Sequence, residues 1–390
     1  MKKFNNFYLT KQEKILLYIK NVFGLNAMCK MKYCLGYLIG YKNKRLQTKK
    51  LYSIDYNEKY DNWKLKAKLI IKHSNSKLLY EMIDSYFISD IERVKNNNLS
   101  IDKNDVIVVC ALKNELTRIK EFMSHYRKLG VKLFLICDNN SSDGSTEYLE
   151  AQQDIVLYRT NDKYNSQKKC AWCNRMISDY GDDRWYLIVD ADELIWYPES
   201  NCLNINQYAN QLYKMGIYSV KGLMLEMYPK GLLGDNRLKR ENYINDYVYY
   251  DADNDYYVYD NNRKIITGGF LNRIFDDENV LQSKVPLFYQ TSNRFNIGSH
   301  HIHPFKEDIT AKFGIVLKHY KFLPGDENRI KEVIKAKNYA NGSRLYKKFV
   351  TIYNNQGIIP YSEFSRKWDE NTVLENLPFI EELTHNEKKS

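Results

Sequence analysis

From Val106 onward the chain alternates between apolar runs of strand length and stretches with helical spacing. VIVVCAL (106–112), KLFLICD (132–138), DIVLYR (154–159) and RWYLIVDAD (184–192) read as buried strands. Between them, NELTRIKEFMSHYRKLG (114–130), DGSTEYLEAQ (143–152) and SQKKCAWCNRMISDYG (166–181) carry apolar residues three and four apart. Gly130 suits a helix C-cap and Asp143 a helix N-cap. Strand–helix alternation predicts parallel pairing and an α/β, doubly wound sheet. Ligands in such sheets sit beyond the carboxyl ends of the strands. Asn114, Asp138 and Asp190 all fall at such ends.

The regular pattern predicts a central domain over 104–325 with a helical segment on each side. Residues 1–103 read as basic and helical, with apolar patches such as ILLYIKNVF broken by lysines. Residues 326–390 read as a basic helical tail, and YSVKGLMLEMYP (218–229) as one more strand. NYINDYVYYDADNDYYVYDNN (242–262) is expected to be an irregular insertion. No internal repeat is visible.

Composition narrows the class. Hydrophobic residues are 44% of the 390, enough for a sizeable core. No apolar run reaches the roughly 18–20 residues of a membrane span. No apolar stretch follows the first lysines closely, so a cleaved signal peptide is not expected. The seven cysteines have no framework spacing, which suits a reduced, cytoplasmic setting. The net charge of +11 points to an anionic partner, although abundant Lys, Asn and Tyr also fit drift in an AT-rich coding sequence. The basic residues are spread out and no RNA-binding signature appears, so nucleic acid is not the expected partner. A nucleic-acid or anionic-membrane binding module is the alternative from another class. It would show salt-sensitive affinity for DNA and none for sugar nucleotides. Basic ends could also dock an enzyme peripherally at the inner membrane face, a contact that vesicle flotation would test.

The most informative segment is Asp190-Ala191-Asp192-Glu193, reached directly from an apolar strand. Crowded carboxylates raise one another's proton affinity unless a cation is present. Mg²⁺ or Mn²⁺ resolves that conflict and leaves positions for phosphate oxygens. Both Asp side chains reach one site only if the chain turns just after the strand. The competing reading is a helix N-cap with acidic residues in the first turn. The same tripeptide at Asp251-Ala252-Asp253 lacks a preceding apolar strand and is expected to be a solvated loop.

Other polar residues cluster around this segment's neighbours. Asn114 and Glu115 follow the first strand, and Asp138 and Asn139 open the loop CDNNSSDGS after the second. Such a loop can present a carboxylate to a base or a ribose. No GxGxxG or GxxxxGK[ST] motif is present. Four of the seven histidines, His300, His301, His303 and His319, lie within twenty residues of one another. Gly268 and Gly269 would allow close approach of a sugar, and Arg273 and Lys284 are candidate diphosphate or acceptor contacts. Cys170 and Cys173 form a CxxC inside a helical pattern and are expected to pack in the core.

The ordered series VVCALKNELTRIKEFMSHYRKLGVKLFLICDNNSSDGSTEYL followed by DAD resembles the nucleotide-binding half of glycosyltransferase family 2, with a GT-A fold. IGSHHIHPF and VLKHYKFLPG resemble the branch related to family 92 and its bacterial relatives. The resemblance covers about residues 105–325. It implies a nucleotide-sugar donor, usually UDP-linked, a divalent cation (Mn²⁺ or Mg²⁺), inversion at the anomeric carbon, and a glycan or glycolipid acceptor of the cell surface. That acceptor would place the enzyme in polysaccharide or lipopolysaccharide biosynthesis. The expected donor site is Asn114, Glu115, Asp138, Asn139, Asp190, Gly269 and Arg273, of which the resemblance carries Asp138, on the base or ribose, and Asp190. Asp190, Asp192 and His319 are the implied metal residues, and His301 or His300 would orient the acceptor or the diphosphate. The general base is left open between Glu193, Asp276 and His301. A sugar nucleotidyltransferase is the rival enzyme. It would carry a Gly-rich, basic loop after the first strand, where this chain has CALKNELTR.

Overall fold

The structure is a computed structural model. It describes residues 89–384 except 97–98, 236, 239–240, 242, 253–256, 261–264, 276–279, 292–293, 298–299, 304–307, 309 and 337–339. The helical reading of residues 1–88 lies outside the described residues, as does Asp276.

Nine strands form one mixed sheet: β1 (Glu92–Lys95), β2 (Ile107–Leu112), β3 (Leu133–Asp138), β4 (Ile155–Arg159), β5 (Arg184–Ile188), β6 (Glu193–Trp196), β7 (Ser219–Glu226), β8 (Ser283–Gln290) and β9 (Lys312–His319). Their spatial order is β1-β4-β3-β2-β5-β8-β7-β9-β6. The block β4-β3-β2-β5 is parallel, as strand–helix alternation requires. Its crossovers are α1 (Leu116–Lys128), α2 (Ser145–Ala151) and α3 (Ser166–Tyr180). Strand β8 runs antiparallel to both β5 and β7, which makes the sheet mixed.

Period-two alternation splits each central strand between two cores. Val108, Phe134, Ile136 and Leu187 join α1's Ile119, Phe122, Met123 and Tyr126 on one face. Ile107, Val109, Leu135 and Ile188 join α3's Trp172, Cys173 and Met176 on the other. Helices therefore cover both faces, the physical meaning of a doubly wound sheet. Each Val, Leu or Ile buried in this way contributes about 1.5–3 kcal/mol. Cys170 and Cys173 of the CxxC sit within α3, each 1% exposed; burial pushes the Cys173 thiol up to about 12, and likewise raises that of Cys110 on β2.

Local signals behave as their chemistry predicts, with one refinement. Gly130 takes φ +92° just after α1, and Val131 N–H closes back onto the Tyr126 carbonyl at 3.0 Å. Gly144, at φ +93°, is the N-cap of α2 in place of Asp143. Asp143 instead braces two helix starts, accepting from Ser145 N at 3.0 Å and from Leu116 N at 2.9 Å.

The unit is wider than the span 104–325. It runs from Asp90. Strand β1 pairs antiparallel with β4, so residues read as part of a separate N-terminal region belong to the sheet. At the other end, α6 (Glu327–Ala336) and α7 (Ala340–Gln356) place Ile330, Val333, Tyr346 and Phe349 in the main core. Phe349 stacks on Phe322 with ring centroids 4.3 Å apart. (Helix α5, Phe270–Phe275, and α4, Ile205–Lys214, complete the longer helical elements of the sheet unit.) Among the described residues no helix is long and apolar enough to cross a membrane.

Candidate functional site

Strand β5 ends at Ile188, and Asp190–Asp192 form a tight turn closed by a 3.0 Å bond from Glu193 N to the Asp190 carbonyl. Strand β6 starts at Glu193, so no helix follows and the N-cap reading of this acidic segment falls. Glu193 pairs with His319 at the end of β9, and Tyr320 N–H donates to the Asp192 carbonyl at 2.9 Å. The turn thus draws the carboxyl ends of β5, β7 and β9 together around a cleft of about 560 Å³.

Two ionic groups are built on this turn. In the first, His319 lies between two carboxylates: Nδ1 is 2.9 Å from Glu226 and Nε2 is 3.2 Å from Asp192. Burial disfavours the charged imidazole, but Glu226 and Asp192 outweigh it and raise His319 to about 10. Burial likewise pushes Asp192 up, and His319 more than reverses this, holding the carboxyl far below its usual range. In the second group, Lys169 from α3 contacts Asp190 directly, and Lys284 from β8 lies 3.9 Å from Asp190 and 2.6 Å from Glu193. Burial again works against the charge on Asp190, and the two ammonium groups hold its carboxyl below the ordinary value. Burial raises Glu193, and Lys284 offsets only part of that.

The donor set can be tested against a divalent cation. Adjacent oxygen or nitrogen ligands of an octahedral Mg²⁺ or Mn²⁺ are on the order of 3 Å apart. Asp192 Oδ2 and His319 Nε2, at 3.2 Å, fit that spacing, and a cation there would replace the Nε2 proton that Asp192 now holds. Glu226 fixes the other ring nitrogen, as partners of metal-ligating histidines do. Asp190 fits less well, because its carboxylate is committed to Lys169. Among the described residues no cluster of three or more His, Cys, Asp or Glu is arranged to ligate a metal. The residues therefore fit a cation held by two protein ligands and completed by ligand oxygens, with Asp190 set apart from the expected trio.

The other expected residues divide by position. Asn114, Glu115, Asn139, Lys284 and His300 line the cleft. Glu193 also lines it, but its Oε2 accepts from Asp190 N at 2.8 Å as well as from Lys284. That commitment makes it a brace for the turn, whereas the sequence left it as one of three candidates for the general base. Asp138 is 1% exposed and turned into its own loop, accepting from Ser141 Oγ at 2.5 Å and Thr146 Oγ1 at 2.6 Å. His301 does not line the cleft and sits 2.7 Å from Asp308, which also holds Lys221 at 3.0 Å.

Gly269 and Arg273 belong to a different structure. A Cβ on Gly269 (φ +69°) would come within 2.6 Å of the Tyr257 ring, so its closeness serves packing against that tyrosine. Arg273 forms a two-pronged pair with Asp251 at 2.7 and 2.8 Å and donates to the Pro360 carbonyl at 2.6 Å. Asp251 is fully buried, which corrects the solvated-loop reading of that residue; Asp253 lies outside the described residues. Arg273→Ala is expected to cost about 2–3 kcal/mol through the exposed need of Asp251 for a partner. Urea unfolding checks the loss, and nucleotide affinity of the folded variant should stay at the wild-type value.

The cleft residues that escaped the sequence reading include Lys169, Glu226, Lys321 and Arg329. Glu226 had the same signal as Asp190, a carboxylate ending an apolar run. Lys169 also had one, since its i+3, i+4 and i+7 neighbours are Trp172, Cys173 and Met176, a core-facing stripe. Arg329 had none, because only the packing of α6 brings it to the cleft, and Lys321 had none, because its place follows from where β9 ends.

No protein-family model matches the chain, and no curated protein matches it. Solved structures similar to it include S. aureus TarS 1-349, at 13% identity and a TM-score of 0.27, over 65% of this chain and 72% of that one. Another is 4-diphosphocytidyl-2C-methyl-D-erythritol synthase, at 10% identity and a TM-score of 0.25, over 48% and 75% of the respective chains. Likeness at this level carries no argument about activity, which rests on the cleft residues themselves.

Proposed function

We propose that the protein is a glycosyltransferase that moves a sugar from a nucleotide-diphosphate donor, UDP-linked by preference, to a hydroxyl of a cell-surface glycan or glycolipid, with inversion. The observation that carries this reading is the Asp192–His319–Glu226 array beside Lys169 and Lys284, at the carboxyl ends of β5, β7 and β9 in the mixed sheet. Acidic and cationic groups alternate around one cleft, as binding a metal–diphosphate requires. Asp192 and His319 would hold Mn²⁺ or Mg²⁺, with Asp190 close by. Once bound, the cation supplies Lewis-acid stabilisation of charge on the departing diphosphate.

The chain's own residues do the rest. Glu226 orients His319, and Glu193 fixes both the turn and the Lys284 ammonium. Lys169 and Lys284 place positive charge where a phosphate oxygen would otherwise meet only Asp190. Asn114, Glu115 and Asn139 form the cleft wall toward the nucleoside. The alternating charge also suits a sugar nucleotidyltransferase, but the loop after β2 lacks the glycines that would wrap a triphosphate.

A panel of nucleotide sugars with Mn²⁺, read by thermal shift, tests the reading directly, since a bound donor raises stability. At least one UDP-sugar is expected to raise the melting temperature. No response to any nucleotide sugar would remove the proposal. EDTA should lower turnover at least about tenfold, and excess Mn²⁺ or Mg²⁺ should restore it. Undiminished release of nucleoside diphosphate in chelator would instead show a site that works through Lys169 and Lys284 without a metal.

A further inference from the structure

The cleft holds one imidazole whose state is fixed by its surroundings and which the reaction scheme above does not use. His300 Nδ1 lies 3.0 Å from the Ser283 carbonyl, and the His300 carbonyl accepts from Val285 N at 3.1 Å. The residue is therefore clamped to β8 by its ring and by its backbone. A carbonyl can only accept, so Nδ1 carries the proton and Nε2 presents a lone pair. No partner for Nε2 is found among the described residues, and His300 lines the cleft.

The other imidazoles nearby differ. His319 is occupied on both nitrogens, and His301 faces Asp308 away from the cleft. Burial, reinforced by the Lys284 charge, holds His300 down to about 3, so the ring is neutral across the physiological range. A neutral Nε2 lone pair repels phosphate oxygens, which have no proton to give. It accepts from a hydroxyl or an amide N–H. Ser283 and Lys284 are neighbours on β8, and Lys284 pairs with Glu193 and lies near Asp190. A donor whose diphosphate meets Lys169 and Lys284 would set its sugar, the group next to the diphosphate, against this wall.

We propose that His300, through Nε2, accepts a hydrogen bond from a hydroxyl or amide N–H of the transferred sugar, and so distinguishes a sugar nucleotide from the bare nucleotide. The inference rests on the glycosyltransferase reading and goes one step further, to a residue that reads the sugar.

The test compares two probes in the presence of Mn²⁺ by titration calorimetry. One is UDP. The other is whichever of UDP-glucose, UDP-galactose and UDP-N-acetylglucosamine raises the wild-type melting temperature most. His300→Ala is expected to weaken the sugar nucleotide about five- to tenfold, the effect of one lost hydrogen bond, with UDP affinity unchanged within about twofold. His300→Phe keeps bulk without an acceptor and should behave like His300→Ala. His300→Gln supplies a carbonyl oxygen and should recover part of the loss. Equal losses for both probes, or none for either, would overturn the role of His300 while leaving the proposed activity standing. If wild-type protein binds neither probe, the activity itself falls and this role with it.

Discussion

Asp192→Ala should abolish sugar transfer and donor hydrolysis together, by about 10²–10³-fold or more, while the protein stays folded. The expectation follows from geometry. Asp192 is the carboxylate whose Oδ2 stands 3.2 Å from His319 Nε2, at the spacing of two ligands on one cation. Without it, a cation would have a single protein ligand. The fold should survive because the His319 ring keeps Glu226 at 2.9 Å, and the Asp192 backbone bond from Tyr320 does not involve the side chain. Release of nucleoside diphosphate from the best UDP-sugar measures the effect, and circular dichroism checks the fold. An Asp192→Ala protein that turns over at the wild-type rate would be incompatible with the proposed site. The parallel variant Asp190→Asn should act differently. It frees Lys169, leaves Lys284 on Glu193, and removes a negative charge beside the diphosphate, so donor affinity is expected to hold or rise, in contrast to Asp192→Ala.

The largest stability effect is expected at Arg118. This guanidinium is fully buried and spends its donors on two elements. It contacts Asp326 directly, reaches Glu115 at 2.9 Å, and donates to the carbonyls of Tyr320 at 3.0 Å and Lys321 at 3.2 Å. Burial works against the charge, and Asp326 and Glu115 more than compensate, so the group stays cationic. Arg118→Met takes from the 2% exposed Asp326 one of its two guanidinium partners, leaving it Arg329 at 3.1 Å, and removes the donor to the Tyr320 carbonyl. The cost of breaking such a buried pair is about 3–5 kcal/mol. Urea unfolding should show it as a lower midpoint. Asp326→Ala should cost a similar amount, and the double variant less than the sum, because both remove the same contact. A midpoint within error of wild type would mean that the pair does not tie α1 to the segment after β9. Since His319 immediately precedes that segment, a loosened tie should also reduce turnover of the protein that remains folded.

Much of the parallel half of the sheet was legible in the chain because its signals are local. A strand such as Ile107–Leu112 declares itself through an unbroken β-branched run, and Leu116–Lys128 through apolar residues at 119, 122, 123 and 126. The acidic turn at Asp190 was legible too, since a carboxylate pair straight after an apolar strand has few physical explanations. The span of the unit was not. Glu92–Lys95 is a strand with alternate exposed residues and no apolar run, and it is recognisable only by its pairing with β4. Asp251 looked solvated because its neighbours in sequence are polar, whereas its neighbours in space are Arg273, Tyr228 and the Ser365 strand.

By itself the sequence determined that strands and helices alternate in a doubly wound α/β sheet and that Asp190 and Asp192 stand at a strand's carboxyl end. Only the tertiary structure decided the partners. Asp192 meets His319 across 127 positions, Lys284 meets Glu193 across 91, and Arg118 meets Asp326 across 208. Periodicity records which face of an element is dry, a property of a few consecutive residues. Charge pairing depends on which ends of distant elements the packed sheet brings within a few ångströms, and no local pattern encodes that.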